Sequence, residues 1–460
     1  GDVNLFSLQG KKALVIGMAR SGQAAARFLA KQGALVTGTD QQSEDMLGSG
    51  LQELKKLPIS LITGGYPEIK PGDFDLVIVS PGVPRNIEPV LAAERCKIPI
   101  WSELELAGRF IKEPIIAVTG TNGKTTTTSL LGFIFKQAGL EVVVAGNIGV
   151  PLIQEVEKNL EKPWRRVNYW VVEVSSFQLE RIEAFRPHIG VFLNLAPDHL
   201  DRHGDLETYG RMKARLFANQ RSDDYAVFNL DDPGVLSNMN TIPGQRCGFS
   251  CCKLPHRGIG VQGEQIIYNF KGRDELLCTV QDIKMPGSHN LENALAAAAA
   301  SLLAGVDKEY VAEALTSFPG VPHRIEEVRI LDGVCYVNDS KGTNPEAVVK
   351  ALDSYEGPII LIAGGRNKGG NLDKLMQKIT KKAKALILLG EAAPLFRQKA
   401  MAVGFDKIWE VSSLAEAVRL AQSMARTGDV VLLSPGCASW DMFRDYEERG
   451  NLFRKVVEEL

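Results

Sequence analysis

Residues 115–126 read Ile-Ile-Ala-Val-Thr-Gly-Thr-Asn-Gly-Lys-Thr-Thr, and this stretch decides the fold of the middle of the chain. Its apolar start predicts a buried strand, Ile115–Thr119, and the residues that follow predict a helix from Thr126 to Ala138. A glycine loop between a strand and a helix directs backbone N–H groups toward phosphate oxygens. The Lys124 ammonium then reaches the outer phosphates, and the Thr125 hydroxyl can hold Mg²⁺. The predicted nucleoside triphosphate site comprises Gly120, Thr121, Asn122, Gly123, Lys124, Thr125, Thr126 and Thr127.

The loop departs from the usual pattern G-x-x-x-x-G-K-[ST], because Val118 stands where the first glycine is expected. An ordinary turn with a chance lysine is the alternative interpretation. The preceding strand and following helix favour phosphate binding. The shortened loop argues against many common families of this kind.

Composition limits the class of protein. A chain of 460 residues predicts two to four domains, and 45% hydrophobic with 23% charged residues is typical of a soluble globular protein. A net charge of −2 gives no basic field for nucleic acid, so no nucleic-acid partner is expected. We expect no membrane insertion, since no apolar run is long enough to span a bilayer. The seven cysteines, without a C-x-x-C pair, indicate reduced thiols and a cytoplasmic location.

Strands alternate with helices in three blocks, which predicts an α/β fold with parallel sheets covered by helices on both faces. The fold class is a Rossmann-like N-terminal sheet, a central P-loop ATPase-type sheet and a Rossmann-like C-terminal sheet. The predicted domains are residues 1–102, 103–320 and 321–460. Residues 220–286 look less regular, with short strands and loops.

Polar residues follow two further strands of the central block. The strand Tyr169–Val174 carries Glu173 near its end, and Ile189–Leu195 runs toward His199. Ligands of an open parallel sheet bind at the carboxyl ends of its strands, so both side chains are expected beside the phosphate loop. Glu173 suits Mg²⁺, and His199 can help to hold a second metal. The alternatives are a buried carboxylate satisfied by backbone donors and a capping histidine.

The first block carries Gly17-Met-Ala-Arg-Ser-Gly22, which is close to a dinucleotide fingerprint with Ala19 at the middle glycine. The Ala19 methyl would crowd a pyrophosphate. Asp40 ends the next strand, where a carboxylate meets a ribose or a base. From the sequence, this block can bind NAD, bind a nucleotide-sugar diphosphate, or bind no ligand. We favour the nucleotide sugar.

Loops after three strands of the last block carry polar residues. Arg324 can clamp a phosphate, Asp339 can bind ribose hydroxyls, and Lys341 with Thr343 can hold a carboxylate. Ordinary turn chemistry is the alternative for any one loop. The loops concerned are 338–344, 364–368 and 434–439.

In the central block, Tyr209 and Lys213 lie one helical turn apart, which alone indicates only a solvated face.

Together these motifs resemble the Mur ligases, the ATP-dependent amide-forming enzymes of peptidoglycan precursor synthesis, over almost the whole chain. The loop Asn338-Asp-Ser-Lys-Gly-Thr-Asn344 is similar to that of the member that adds D-glutamate. The other motifs that carry the resemblance are Gly120–Thr126, Gly146–Gly149, Glu173–Gln178, Asp198–Asp201, Tyr209–Lys213, His289–Asn293, Pro322–Arg324 and Ser434–Ser439.

The resemblance implies a reaction and a set of ligands. ATP would phosphorylate the carboxyl group of UDP-N-acetylmuramoyl-L-alanine, and D-glutamate would displace the phosphate in a cytoplasmic step of peptidoglycan synthesis. Two Mg²⁺ ions and a CO₂-derived carbamate on Lys213 are implied, and the chain is expected to be a monomer. Lys124, Glu173, His199 and Lys213 would be catalytic, and Thr125, Glu173, His199 and Lys213 would bind metal.

The resemblance also assigns binding residues. Asn293, Arg324 and Asp339 would contact ATP; Lys341, Thr343, Lys368 and Ser439 would form the D-glutamate pocket; Ser21, Asp40, Gly82 and Asn147 would hold the UDP-muramoyl substrate. The chain departs from the family pattern at Ala19, Asn367 and Gly436, which affects the finer pocket contacts.

Three other functions stay open from the sequence. Another amino-acid ligase of the same fold, including a folate-type ligase, would use the same phosphate loop. An NAD oxidoreductase would leave the phosphate loop, Glu173, His199 and Lys213 without a role. A non-catalytic nucleotide-gated binding protein would not need Lys213 beside metal ligands.

Overall fold

A computed structural model of the chain describes residues 7–47, 50–121, 123–146, 150–195, 206–285, 288–353, 355, 358–439 and 441–460. These residues form three separate sheets with helices between the strands, which confirms the predicted α/β class and its three sheets. The domain boundaries after residues 102 and 320 stay predictions. Within the described ranges, no helix combines the length and the apolar character needed to cross a membrane.

The first sheet has five parallel strands in the order β3-β2-β1-β4-β5. Its strands are β1 (Lys12–Ile16), β2 (Leu35–Asp40), β3 (Ile59–Thr63), β4 (Leu76–Val79) and β5 (Ile100–Ser102). The strand order reverses beside β1, and a crevice at such a reversal is where this kind of sheet binds ligands.

The central sheet has nine strands in the order β14-β13-β12-β11-β10-β9-β6-β8-β7. The strands are β6 (Ile115–Thr119), β7 (Val142–Gly146), β8 (Tyr169–Glu173), β9 (Ile189–Phe192), β10 (Tyr225–Asn229), β11 (Gln245–Ser250), β12 (Gly258–Gln262), β13 (Gln265–Tyr268) and β14 (Glu275–Thr279). Strand β6 lies between β8 and β9, so the three polar strand ends that the sequence singled out come from adjacent strands.

The third sheet has six strands in the order β15-β16-β20-β17-β18-β19. They are β15 (Glu326–Leu331), β16 (Val334–Asn338), β17 (Ile359–Gly364), β18 (Ala383–Leu389), β19 (Ile408–Glu410) and β20 (Val430–Leu433). Strands β16, β20 and β17 are neighbours and parallel, which brings the loops after all three to one edge.

Helices of eight or more residues connect most of these strands. They are Arg20–Lys31, Glu88–Arg95, Lys124–Gln137, Leu152–Leu160, Leu206–Ala214, Ser288–Leu303, Lys308–Ser317, Pro345–Asp353, Asp373–Lys382, Ala393–Ala402, Leu414–Met424 and Tyr446–Glu458. Shorter helical turns are Glu44–Leu47, Gly50–Leu54, Glu103–Gly108, Ser176–Leu179, Arg215–Phe217, Pro233–Leu236 and Val280–Asp282.

Two expectations about the sheets were wrong in detail. The sheets are not purely parallel: β12, β13 and β14 pair antiparallel, and β15 pairs antiparallel with β16. The strand predicted to reach Leu195 ends at Phe192. Asn194, just after it, turns toward the phosphate loop, so the chain has left the ladder at that point.

Alternate residues of β6 pack into two different hydrophobic clusters, one on each face of the central sheet. Ile115 and Ala117 belong to a cluster that continues into the first sheet, where it includes Val15 and Trp101. Ile116 and Val118 face the alanine-rich helix Ser288–Leu303. The first and central sheets therefore share one continuous apolar core.

Two buried carboxylates join the first sheet to the central one. One oxygen of Glu105 accepts hydrogen bonds from the backbone N–H groups of Glu183, Ala184 and Phe185 at 2.5–3.0 Å. Glu103 accepts from the Ile153 N–H at 2.6 Å and also bonds the Gln178 side chain. Both residues lie in the short helix after β5, so this helix fixes the position of the loops around β8.

Burial raises the pKa of Glu103 from 4.5 to about 7, against smaller opposing effects of its bonds to Ile153 and Gln178. The pKa of Glu103 is higher in the folded than in the unfolded protein, so folding favours the neutral carboxyl group. Its contribution to the free energy of unfolding is therefore complete below pH 4.5 and is lost as the pH rises toward 7. A pKa shift of this size corresponds to a contribution of at most about 3 kcal/mol to the free energy of unfolding.

We therefore expect Glu103→Gln, which is neutral at every pH, to gain stability relative to the unchanged protein between pH 4.5 and 7. The check is the difference in Tm between the two proteins across this range, with the exposed Glu88→Gln as the control. A difference that does not change with pH would contradict the account.

Candidate functional site

The phosphate loop joins β6 to the helix Lys124–Gln137, as the sequence predicted. Gly120 and Gly123 have φ values of +151° and +87°, in the region that favours glycine. Gly123 caps the helix, and the first turn of the helix contains no acidic side chain. The positive end of the helix dipole is therefore not neutralised from within its own first turn.

Two asparagines hold the loop in place. The Asn194 side-chain oxygen accepts from the Thr121 N–H at 2.9 Å. The Asn293 oxygen accepts from the Thr127 hydroxyl at 3.3 Å, and a Cβ on Gly123 would lie 2.3 Å from that oxygen. Asn293, predicted from the resemblance as an ATP contact, thus contacts the loop itself.

Two lysines share one acceptor in the loop. The Gly120 carbonyl oxygen accepts from the Lys124 ammonium at 2.6 Å and from the Lys213 ammonium at 3.0 Å. Lys213 is 1% exposed, and its ammonium lies 4.7 Å from the centroid of the Tyr209 ring. The Tyr209 hydroxyl lies 3.3 Å from the Thr121 hydroxyl. The solvated face that spacing alone indicated for Lys213 is wrong, because this face of its helix packs on the loop.

Glu173 lies beside Thr125, the predicted metal-binding residue of the loop. The Thr125 hydroxyl donates to the Glu173 carboxylate at 2.9 Å. The ammonium of Lys341, from the loop after β16, donates to the same hydroxyl oxygen. A residue predicted for the amino-acid pocket therefore contacts the phosphate loop across the space between the central and third sheets.

Positive charges gather around Lys341. Burial lowers its pKa to about 7, and the charges of Arg324 and Lys124 add to the effect, whereas Glu173 and Glu447 oppose it. Four of the predicted site residues, Lys124, Glu173, Arg324 and Lys341, are thus close enough to influence one another electrostatically. The site therefore brings cations and carboxylates close together.

Arg324 and Asp339 lie together on the side of the third sheet. Burial raises the pKa of Asp339 to about 6, although Arg324 acts against this. The Asp339 carboxylate accepts from the Ser434 hydroxyl at 2.7 Å and from the Ile325 N–H at 3.2 Å. His323 and Ile325, on either side of Arg324, have φ values of +68° and +45°. Such strained backbone is concentrated at ligand sites.

One nitrogen of Arg324, Nε, is buried and has no hydrogen-bond partner among the described residues. The Thr126 hydroxyl oxygen in the loop is also buried and has no hydrogen-bond partner among the described residues. Buried polar atoms are nearly always satisfied, so each unsatisfied one requires an explanation such as a ligand. Both atoms belong to residues that the sequence assigned to the triphosphate.

The loops of the third sheet interlock through backbone bonds. The Gly436 N–H donates to the Gly342 carbonyl at 2.8 Å, and Arg366 and Ala438 exchange two bonds of 2.9 Å. Ser439 is buried, Thr343 is half-buried, and Lys368 is exposed. The three loops therefore form one edge, with Lys341, Thr343 and Ser439 on it.

In the first sheet, the Asp40 carboxylate accepts from the N–H groups of Met18 and Gln42 at 2.7 and 2.8 Å. It therefore joins the loops after β1 and β2. Ser21 is the second residue of the adjacent helix, and Gly82 lies exposed in the loop after β4. These residues share the carboxyl edge of the sheet, and their substrate contacts stay predictions.

His199, Asn122 and Asn147 lie outside the described residues, so their predicted roles stay predictions.

Sequence reasoning missed Asn194 as a residue of the site. Its signal in the sequence is a polar side chain directly after a buried strand. A cleft of about 370 Å³ also opens next to Asn194, with Glu292 on the central side and Lys350 on the other.

Comparison with known proteins identifies the family. Residues 11–102 match the model "Mur ligase MurD-like, N-terminal domain", residues 118–301 match "Mur ligase middle domain", and residues 323–437 match "Mur ligase, glutamate ligase domain". This chain belongs to the Mur ligase family.

Curated relatives match along nearly the whole chain. A protein of Pelotomaculum thermopropionicum named UDP-N-acetylmuramoylalanine--D-glutamate ligase is 50% identical over 97% of this chain and 97% of its own length. A protein of the same name from Thermoanaerobacter pseudethanolicus is 45% identical over 99% of this chain and its whole length. A solved MurF ligase from Thermotoga maritima in complex with ADP covers 100% of this chain and 97% of that one at a TM-score of 0.60. At 16% sequence identity, this match is evidence for a shared fold only.

Gly123→Ala tests the loop geometry. The new methyl would lie 2.3 Å from the Asn293 oxygen, so the loop must shift; we expect ATP to bind at least about ten-fold more weakly. Gly139→Ala is the matched control, because Gly139 follows the same helix with a φ of +77° and has nothing within 4 Å of the added carbon.

Both variants should lose roughly 1–2 kcal/mol of stability from the left-handed backbone. Only the first should lose affinity for ATP in calorimetry. Equal affinities for the two variants would show that the close approach of Gly123 to Asn293 does not matter for binding.

Proposed function

We propose that this chain is an ATP-dependent ligase that joins D-glutamate to UDP-N-acetylmuramoyl-L-alanine, in a cytoplasmic step of peptidoglycan synthesis. The observation that carries the proposal is the convergence of Lys124, Lys213, Glu173 and Lys341 on one glycine loop. The names and near-complete coverage of the curated relatives support the choice of substrates.

The residues around the loop fit a triphosphate. The loop amides, the Lys124 ammonium and the unsatisfied Arg324 nitrogen can all donate to phosphate oxygens. The nearby cleft of about 370 Å³ borders Asn194, which bonds the loop, so we assign the nucleoside to this space. Asp339 does not line this cleft, and its contact with the ribose hydroxyls stays a prediction.

Thr125 and Glu173 fit Mg²⁺, because both supply oxygen donors and lie within hydrogen-bond distance of each other. An ammonium cannot bind a cation, so Lys213 serves as a ligand only after its nitrogen is converted to a carbamate, which supplies an anionic oxygen. His199 would complete the set. When bound, the two ions neutralise charge between the γ-phosphate and the attacking carboxylate.

The chain's own residues position the two transfers. Lys124 and Arg324 hold the γ-phosphoryl group in line with the carboxylate oxygen of UDP-N-acetylmuramoyl-L-alanine, and ADP leaves as the acyl phosphate forms. The amine of D-glutamate then attacks the acyl carbon, loses a proton, and expels inorganic phosphate. Lys341 contacts the phosphate loop from the third sheet, so this sheet covers the reacting groups and limits hydrolysis by water.

We assign substrate binding to the loop edge of the third sheet and to the carboxyl edge of the first sheet. Lys341, Thr343, Lys368 and Ser439 would hold the carboxylates of D-glutamate, and Ser21, Asp40, Gly82 and Asn147 would hold the UDP-muramoyl part. We propose that the enzyme acts as a monomer.

Release of phosphate from ATP tests the proposal. We expect release, and a new amide in the product by mass spectrometry, only when UDP-N-acetylmuramoyl-L-alanine and D-glutamate are both present. L-glutamate, lysine and a meso-diamino acid are the controls. Equal turnover with one of these amino acids, or with a folate acceptor, would favour another ligase of the same fold.

Lys213→Ala tests the metal-binding lysine. We expect ligation to fall by about 100-fold or more, since the variant loses a ligand at the centre of developing charge. Added acetate or formate should restore part of the rate by supplying a carboxylate oxygen. Arg211→Ala is the control, because Arg211 lies on the same helix and pairs with Glu207 in solvent. Unchanged activity of the Lys213 variant would exclude the role proposed here.

A further inference from the structure

Arg449 is a buried arginine at the edge where the loops of the third sheet meet. It lies in the helix Tyr446–Glu458 and is 3% exposed. Its Nε donates to the Ser340 hydroxyl at 3.0 Å, and Nη2 donates to the Ser340 carbonyl at 2.8 Å. Nη1 and Nη2 also donate to the Cys437 carbonyl at 3.3 and 3.2 Å. One guanidinium therefore connects the loop after β16 to the loop after β20.

The two loops carry residues assigned above to the amino-acid pocket. Ser340 immediately precedes Lys341, and Cys437 lies two residues before Ser439. A third loop is also close, because a Cβ on Gly365, after β17, would lie 3.4 Å from Nη1 of Arg449. The guanidinium thus lies at the common centre of the three loops rather than beneath one of them.

The hydrogen bonds of Arg449 go to a hydroxyl group and to backbone carbonyl groups rather than to a carboxylate. Burial lowers the pKa of Arg449 to about 10, while Cys437, Asp441 and Asp339 act in the opposite direction. The group therefore keeps its charge at neutral pH. A buried charge whose hydrogen bonds go to neutral groups is costly, and the fold retains it although an apolar side chain would avoid that cost.

Two properties of the guanidinium explain its presence. Its planar fork has five donors in fixed directions, so it can bond two separate loops at once, which a single ammonium cannot do in the same geometry. Its charge also makes the edge more positive. An amino acid with two carboxylates gains more from such a field than a neutral one.

We propose that Arg449 is a positioning residue for the amino-acid pocket: it sets the spacing between the loops that carry Lys341 and Ser439 and favours an acceptor with two carboxylates. The inference rests on the proposed function, because it takes the acceptor to be D-glutamate. It adds a residue that contacts no substrate itself and acts through Ser340 and Cys437.

The test compares steady-state kinetics of Arg449→Lys and Arg449→Met with the unchanged enzyme. Arg449→Lys keeps the charge but loses the fork, and we expect KM for D-glutamate to rise about five- to ten-fold. Arg449→Met loses both, and we expect a rise of at least about 30-fold together with a reduced preference for D-glutamate over D-glutamine. KM for ATP and for UDP-N-acetylmuramoyl-L-alanine should stay within about two-fold in both variants.

Arg454→Met is the matched control. Arg454 lies five residues further along the same helix and pairs with Glu326, so its loss removes an ion pair but no bond to Ser340 or Cys437. We expect a lower Tm for this variant and an unchanged KM for D-glutamate. A purely structural role of Arg449 would instead raise all three KM values together or leave them all unchanged, and either result would overturn the inference.

Folding is checked by Tm before the kinetics. If Arg449→Met does not fold, Arg449→Lys decides, and an unchanged KM for D-glutamate in that variant contradicts the inference. Failure of the proposed function is distinguishable, since the unchanged enzyme would then show no phosphate release that depends on D-glutamate.

Discussion

The carbonyl oxygen of Gly120 accepts hydrogen bonds from two lysine ammonium groups, and the candidate site is built around this arrangement. Like charges held so close repel each other, and the positive end of a helix dipole lies at the same place. The geometry therefore concentrates positive charge while Lys213 is unmodified, and conversion of Lys213 to a carbamate would remove one of the two charges. The half-buried Arg324 and the buried Lys341 extend this group of cations toward the third sheet.

The site depends on contacts between parts of the chain that lie far apart in sequence. Lys341 bonds Thr125 across more than two hundred residues, and this contact joins the third sheet to the phosphate loop. On the other side, Glu103 and Glu105 attach the first sheet to the loops around β8. The three sheets thus meet around β6, where a reaction that needs three substrates requires them to meet.

Much of the fold was predictable from local patterns. Strand β6 has the bounds that the sequence predicts, Ile115–Thr119, because its short apolar run ends at the glycine loop. Glu173 was predictable as a neighbour of the loop, since polar residues at the ends of adjacent parallel strands share an edge. The short strands β10 to β14 were less clear, because the antiparallel pairing of the last three depends on partners that no local pattern identifies.

The contacts of individual side chains were harder to predict. Spacing on a helix shows that Tyr209 and Lys213 share a face, but not that this face packs on the phosphate loop. The contact of Lys341 with Thr125 depends on how two sheets are oriented, which is a tertiary property. The bridging role of Arg449 left no local signal, because an arginine in an amphipathic helix usually lies in solvent.

A crystal structure of the protein with ADP and Mg²⁺ tests the central claim most directly. The account predicts the β-phosphate within hydrogen-bond distance of the Lys124 ammonium, a metal ion on the Thr125 hydroxyl, and electron density continuing beyond the nitrogen of Lys213. Nucleotide bound away from the 120–127 loop, with Glu173 and Lys213 remote from any metal ion, would contradict it.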